Sequence, residues 1–349
     1  MLGLVFIFLI KNRYLFVINI NQTKGNKMKK LLLMISAMSA AVFSVAKADI
    51  STSGSAGFHM ISGEDVVGAD GVTAATNTLF MNGAAISFAM SATTAGGMTV
   101  STSAGVSLDS NDSDNTKGVT GVNNITFAAD GFSIQVGDVD LVGSGTGHVG
   151  NVASDVVDNG GYAQTGIQTG LESATTEGYG FVASTSVSGA SVSLSYLIDH
   201  TNSVVNNAET SSGDYATGVS LSMPLGGATI ALGHSTVTKS ATGSSNTASS
   251  GISVSYALPQ ATVKLGYESS DLSTDATTTA AAVSGSLDAD TTWAIGYTDG
   301  EGGTLSSTRT EAKLTRSLGG GVSVYAELQN LSGSGTAGTN MAVGTTVAF

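Results

Sequence analysis

Apolar and polar residues alternate with a period close to two along most of the chain. In Ala190–Ile198, the residues Val192, Leu194, Tyr196 and Ile198 share one face and serines fill the other. Segments 252–258 and 322–328 repeat the pattern. Successive side chains of an extended strand point to opposite faces, so this alternation predicts strands with one apolar and one polar side. No segment beyond residue 48 shows the 3.6-residue period of a helix.

Sixteen strands are predicted, over 50–61, 77–91, 98–108, 120–128, 132–140, 178–187, 190–199, 214–224, 228–238, 250–258, 261–270, 280–287, 290–299, 309–317, 321–331 and 339–349. The breaks between them alternate in length. Short ones include Ala129-Asp130-Gly131, Ser188-Gly189, Pro259-Gln260 and Leu318-Gly319-Gly320. Long ones are 62–76, 109–119, 141–177, 200–213, 239–249, 271–279, 300–308 and 332–338. Short turns at one end and long loops at the other is the layout of a transmembrane β-barrel of the outer membrane. The fold class read here is therefore all-β: a 16-stranded antiparallel barrel with short periplasmic turns and long extracellular loops. An even strand count puts both termini on the short-turn side. The polar faces are mostly Ser, Thr, Gly and Ala with little charge, which suits a wet lumen better than the exterior of a soluble sandwich.

The N-terminus adds a compartment. Met28, Lys29 and Lys30 precede an apolar run to Val45, and Ala46-Lys47-Ala48 precedes Asp49. That is the order of a cleaved secretory signal, and the run is shorter than the ~20 residues of a spanning helix. Residues 28–48 are read as signal peptide, 1–27 as a mis-assigned upstream extension, and 49–349 as the barrel. Seven of the 13 Lys and Arg lie in 1–48 and none of the 26 Asp and Glu does. The remaining segment thus holds six bases and 26 acids, a formal charge of −20. Such a surface excludes nucleic acid as a partner. Cysteine is absent, so thiol chemistry and disulfides are absent too.

Two further features concern membrane and assembly. Met341, Val343, Thr345, Val347 and the terminal Phe349 fall on one face. An alternating last strand ending in an aromatic residue is similar to the signal read by the outer-membrane insertion machinery, with Phe349 as its key residue. Tyr179, Tyr215 and Tyr297 lie toward the long-loop end of the apolar faces, Trp293 and Tyr256 toward the short-turn end, as in two interfacial belts. The first five strands and the last have neither Tyr nor Trp and carry outward Gly54, Ala56, Ala104, Val106, Val343 and Val347. That arc is expected to face another subunit.

The segments 132–140 (FSIQVGDVD), 293–300 (WAIGYTDG), 318–327 (LGGGVSVYAE) and 344–349 (GTTVAF) resemble the trimeric sixteen-stranded general-diffusion porins, especially the alphaproteobacterial type. The resemblance implies a homotrimer in a Gram-negative outer membrane and a third long loop folded into the lumen as a constriction. Here that loop is 141–177, with Asp155, Asp158 and Glu172. It also implies loop carboxylates opposed by wall arginines, but the first four strands contain no Lys or Arg. Alternation instead puts Lys264, Arg309 and Lys313 in the lumen beside Glu268, Glu311 and Glu327, because Val263, Leu265, Ala312 and Leu314 face out.

The function expected is passive diffusion of small hydrophilic solutes and ions, with cations preferred because carboxylates outnumber bases. A solute-selective channel is the nearer alternative. A structural surface protein or adhesin of β-solenoid type is the alternative of another class, though it calls for equal repeats rather than alternating breaks. No enzyme or cofactor is expected: His59, His148, His200 and His234 are scattered, and no hydrolase, zinc or phosphate-loop motif occurs. Asp109, Asp112 and Asp114 offer oxygen ligands for a weakly bound Ca²⁺, but the Gly at position 6 and the Glu at position 12 of a calcium loop are missing.

Overall fold

A computed structural model describes residues 6–9, 15–18, 47–63, 66–67, 73–74, 78–108, 117–120, 122–153, 177–198, 214–239, 246–271, 276–302, 305–333 and 338–349. Those residues contain no helix. Sixteen antiparallel strands close into a barrel: β1 (Lys47–Gly63), β2 (Thr78–Thr93), β3 (Thr99–Leu108), β4 (Lys117–Thr120 and Asn124–Ala129), β5 (Phe132–Asp140), β6 (Glu177–Val187), β7 (Ala190–Ile198), β8 (Tyr215–Leu225), β9 (Ala228–Thr238), β10 (Thr247–Ala257), β11 (Ala261–Ser270), β12 (Ala276–Ser286), β13 (Thr291–Gly302), β14 (Leu305–Gly319), β15 (Val322–Gly333) and β16 (Gly338–Ala348). Each strand pairs with its sequence neighbours, and β16 closes the ring on β1, from Asn340 opposite Gly63 to Ala348 opposite Ser55. Phe349 extends the seam: its N–H donates to the Gly54 carbonyl at 2.9 Å and its carbonyl accepts from Gly54 N–H at 2.8 Å.

The burial pattern is that of a soluble protein turned inside out. Leu265 is 57% exposed and Ile295 52%, and Leu194, Val219, Leu232, Ile252, Leu314 and Leu328 are exposed as well. Their neighbours one residue along the strand point inward, and Glu268, Glu311, Gln329 and Asn340 are fully buried there. Closing the sheet leaves no unpaired edge, so every ladder group has a partner inside a medium that offers none. The aliphatic face is then free to meet hydrocarbon.

Strand number, pairing and the short turns match the sequence reading. Several of the long breaks are shorter than expected. β13 runs to Gly302 and β14 starts at Leu305, leaving two residues where 300–308 was expected. β12 starts at Ala276 and β10 at Thr247. The reason is the side-chain identity at the strand tips. Outward positions there include Thr277, Thr279 and Thr308, which suit a pleated backbone but carry no aliphatic signal. β4 differs in another way. It begins at Lys117 and is interrupted before Asn124, where the Asn123 carbonyl accepts a hydrogen bond from Asp138 N–H at 2.8 Å.

Two small pairings lie outside the barrel ladder. Val66–Val67 pairs with Thr73–Ala74 inside the first long break. Phe6–Leu9 pairs with Leu15–Ile18 in the N-terminal segment, for which the sequence suggested no element. Residues 28–46, most of the expected signal, lie outside the described residues.

Candidate pore constriction

The chain leaves β5 and turns into the barrel at Leu141. That side chain is buried with Val139, Leu197, Ala216 and Val237, and Val182 packs against the group. Leu197 lies between outward-facing, exposed Tyr196 and Ile198, so this apolar cluster is inside the barrel at the long-loop end. It roots the first part of the third long loop.

From this root, residues 142–153 form a strap along the inner wall. Val142 N–H donates to Ser195 Oγ on β7 at 3.1 Å. Gly143 follows with φ +90°, a left-handed conformation that a residue with a Cβ adopts at a cost. A Cβ there would also lie 2.5 Å from the carbonyl oxygens of Val219 and His234. Gly145 (φ +72°) and Gly147 then pass β10 and β11, and Gly150 passes β13 beside Thr298. The wall beneath is glycine as well. Gly218, Gly233, Gly251, Gly266 and Gly296 each lie in contact with strap backbone or with Thr146.

Two wall carboxylates fix the strap. Glu268 accepts from Gly145 N–H at 2.9 Å, Gly147 N–H at 3.0 Å and Ser249 Oγ–H at 2.5 Å. His148 Nε2 stands 3.9 Å from the same group. Glu311 accepts from Val152 N–H at 2.7 Å, Ala153 N–H at 3.1 Å and Gln329 Nε2 at 2.9 Å. Hydrogen bonds to an ionised acceptor are among the stronger ones, and irregular backbone at membrane depth is tolerated where it lies against protein in this way.

The inward bases are paired on the wall itself. Arg309 lies 3.3 Å from Glu311. Lys313 lies 2.9 Å from Glu327, with its ammonium 5.7 Å from the centre of the Tyr325 ring. Lys264 is exposed and, among the described residues, makes no ion pair. Three bases therefore face three acids on this wall, and its formal sum is zero. Below the strap the lumen is lined by hydroxyls, including Ser184 on Ser193 at 2.8 Å and Ser323 on Thr346 at 2.7 Å.

The structure thus brings Glu268, Arg309, Glu311, Lys313 and Glu327 onto one stretch of inner wall, with Lys264 nearer the short-turn end. Asp155, Asp158 and Glu172 lie outside the described residues, as do Asp109, Asp112 and Asp114. No group of three His, Asp or Glu able to hold a metal occurs among the described residues. Sequence reasoning expected this loop in the lumen but missed the glycine track beneath it. The signal was present: glycine sits at one inward level of β8, β9, β10, β11 and β13.

The Gram-negative porin family matches residues 34–336. No curated protein matches the chain. Among solved structures, the loop L8 deletion mutant of OmpT, an outer membrane protein of Vibrio cholerae, is similar at 12% identity, covering 86% of this chain and 99% of that one with a TM-score of 0.64. The anion-selective porin from Comamonas acidovorans is 13% identical, covering 87% and 100%, at 0.61. A mutant of the Rh. blastica porin is 18% identical, covering 86% and 100%, also at 0.61. At such identities the likeness carries the fold, while the family match spans most of the sequence. The chain belongs to the Gram-negative porin family.

Proposed function

We propose that this outer-membrane barrel is a general-diffusion porin that passes small hydrophilic solutes and prefers cations. The observation that carries the reading is a hydroxyl-lined lumen crossed by a strap held flat on its wall. Such a lumen offers solutes water and exchangeable hydrogen bonds, and diffusion through it needs no cofactor. The inward tyrosine of the ladder, Tyr325, is buried, so it offers no stacking track of the kind a selective channel uses.

The ion preference is argued from the loops. The wall sums to zero, but the eight long breaks read from the sequence hold fourteen Asp and Glu against Lys117 and Lys239. Carboxylates of the loops, Asp155, Asp158 and Glu172 of the third long break among them, would raise the local concentration of cations over a Debye length of ~8 Å. A homotrimer of the alphaproteobacterial type is proposed too, joined through β1–β5 and β16. The aliphatic surface there, with Phe58, Met60, Ile86 and Met341 exposed, supports it. Removal of the signal segment 28–48 on export and insertion guided by Phe349 complete the proposal.

Planar-bilayer recording of the purified protein tests this reading. K⁺ permeates more readily than Cl⁻ by reversal potential, and channels close in steps of three. A chloride preference refutes the charge argument. Saturation by one solute at micromolar concentration replaces general diffusion with a solute-selective channel.

A further inference from the structure

The wall under the strap is bare. Ser195 on β7 stands opposite Gly218 on β8, Gly233 on β9 opposite Gly251 on β10, and Gly251 opposite Glu268 on β11. Gly266 and Gly296 continue the row, with the buried small residues Ala280 and Ala282 of β12 between them. A Cβ built on Gly251 would lie 2.8 Å from Gly147 N and 3.1 Å from Thr146 Cβ. Cβ atoms on Gly218, Gly233, Gly266 and Gly296 would meet the backbone oxygens of Val142, Gly143, Gly147 and Gly150 inside van der Waals range. Glycine in a strand interior weakens the strand, so a glycine at the inward position of five strands needs a reason. The close passage of a second backbone is one. Further along the same face toward the short-turn end, β10 carries Ser253 and Ser255 and β12 carries Ser284 and Ser286.

We propose that Gly218, Gly233, Gly251, Gly266 and Gly296 set the size of the pore by letting the strap lie flush in a shallow groove of the wall. This rests on the channel reading above and adds what determines its calibre. Side chains in the groove lift the strap toward the barrel axis. The strap has no other way to yield, because its far side faces the lumen and its ends are held by Leu141 in the apolar cluster and by Val152 and Ala153 on Glu311. The open cross-section then shrinks, and with it conductance and exclusion limit. Ion preference stays as it is, since no charge changes.

The test uses the full chain, which has no cysteine of its own. Gly251→Val and Gly296→Val are compared with wild type and with Ser255→Val. Ser255 lies on the same strand and face as Gly251, four residues or roughly 13 Å away. Barrel integrity is read from heat-dependent electrophoretic mobility. Single-channel conductance of the glycine variants falls roughly 1.5- to 2-fold, and liposomes carrying them swell more slowly in large sugars than in small ones. Ser255→Val behaves as wild type. Intact glycine variants that conduct as well as wild type, or better, overturn the proposal.

A second variant covers the case in which valine prevents folding. Thr146→Cys with Gly251→Cys places two Cβ atoms near the 3.5–4.5 Å span of a disulfide. Under mild oxidation this pair cross-links. Failure to cross-link in a folded barrel overturns the flush seating. A wild-type protein that shows no conductance refutes the channel reading instead, and leaves the cross-link result to stand or fall by itself.

Discussion

Truncating Glu268 removes the middle anchor of the strap. In Glu268→Ala, the backbone N–H groups of Gly145 and Gly147 lose acceptors at 2.9 and 3.0 Å, and Ser249 loses one at 2.5 Å. A buried donor left without a partner costs about 1–3 kcal/mol, so the two amides together cost about 2–6 kcal/mol. Water decides where in that range the variant falls. The missing side chain opens a polar space beside a wet lumen, so water reaches both amides and the low end applies, about 2 kcal/mol. At 1.4 kcal/mol per tenfold, local opening of the strap rises about 30-fold.

Amide hydrogen exchange of the peptide spanning 142–153 reads that opening directly. Exchange at Gly145 and Gly147 accelerates about 30-fold, while the ladder amides of β10 and β11 keep their protection. Current through single channels grows noisier on the same timescale. Glu268→Gln gives a smaller effect, because its carbonyl still serves one amide while its NH₂ confronts the other. Exchange in Glu268→Ala within threefold of wild type refutes the claim that this carboxylate holds the loop.

Ile295 lies on the outer face between Trp293 and Tyr297, and Ile295→Arg costs about 2–4 kcal/mol of folding free energy in liposomes by urea titration, against near zero for Ile295→Leu. Deleting Phe349 removes two backbone hydrogen bonds at the β16–β1 seam and the ring that lies on Gly54, so the yield of assembled barrel in outer-membrane fractions drops severalfold. Asp288, in the short turn after β12, is held below the usual carboxylate range by Asp290 N–H and then by the Thr291 hydroxyl, with Arg316 3.6 Å away. A depressed folded value stabilises above the unfolded pKa and is lost on acidification through the folded one. Asp288→Asn is therefore slightly less stable than wild type at neutral pH, and the difference vanishes below pH 3.8 as the wild-type carboxyl protonates in turn.

The alternation of side chains was legible because lipid demands it. Leu265, Ile295 and Leu314 must face out, and that fixes Lys264, Glu268 and Lys313 as inward without any tertiary information. The short turns were legible for a local reason as well: Ser188-Gly189 and Gly319-Gly320-Gly321 adopt positive φ, and their composition says so. The strand tips were not. Ser306 and Thr308 continue the ladder of β14 with no aliphatic outward neighbour to reveal it. The partners of Glu268 and Glu311 were hidden too, since both accept from backbone N–H groups more than a hundred residues away. A backbone donor has no residue type, so no reading of side chains finds it.

A charged wall facing a charged loop makes size and ion selectivity inseparable, because the same side chains define the opening and the field across it. Here Glu268 and Glu311 are spent on strap amides, and Arg309 and Lys313 are neutralised by Glu311 and Glu327. The wall keeps one exposed cation, Lys264, without an ion pair among the described residues. On the proposed reading, calibre belongs to glycine backbone packing, which carries no charge, and ion preference to the acidic loops, whose field is screened by salt. The two respond to different perturbations. Raising ionic strength erodes the cation preference while the exclusion limit stays fixed, and filling the glycine groove narrows the exclusion limit while the reversal potential stays fixed.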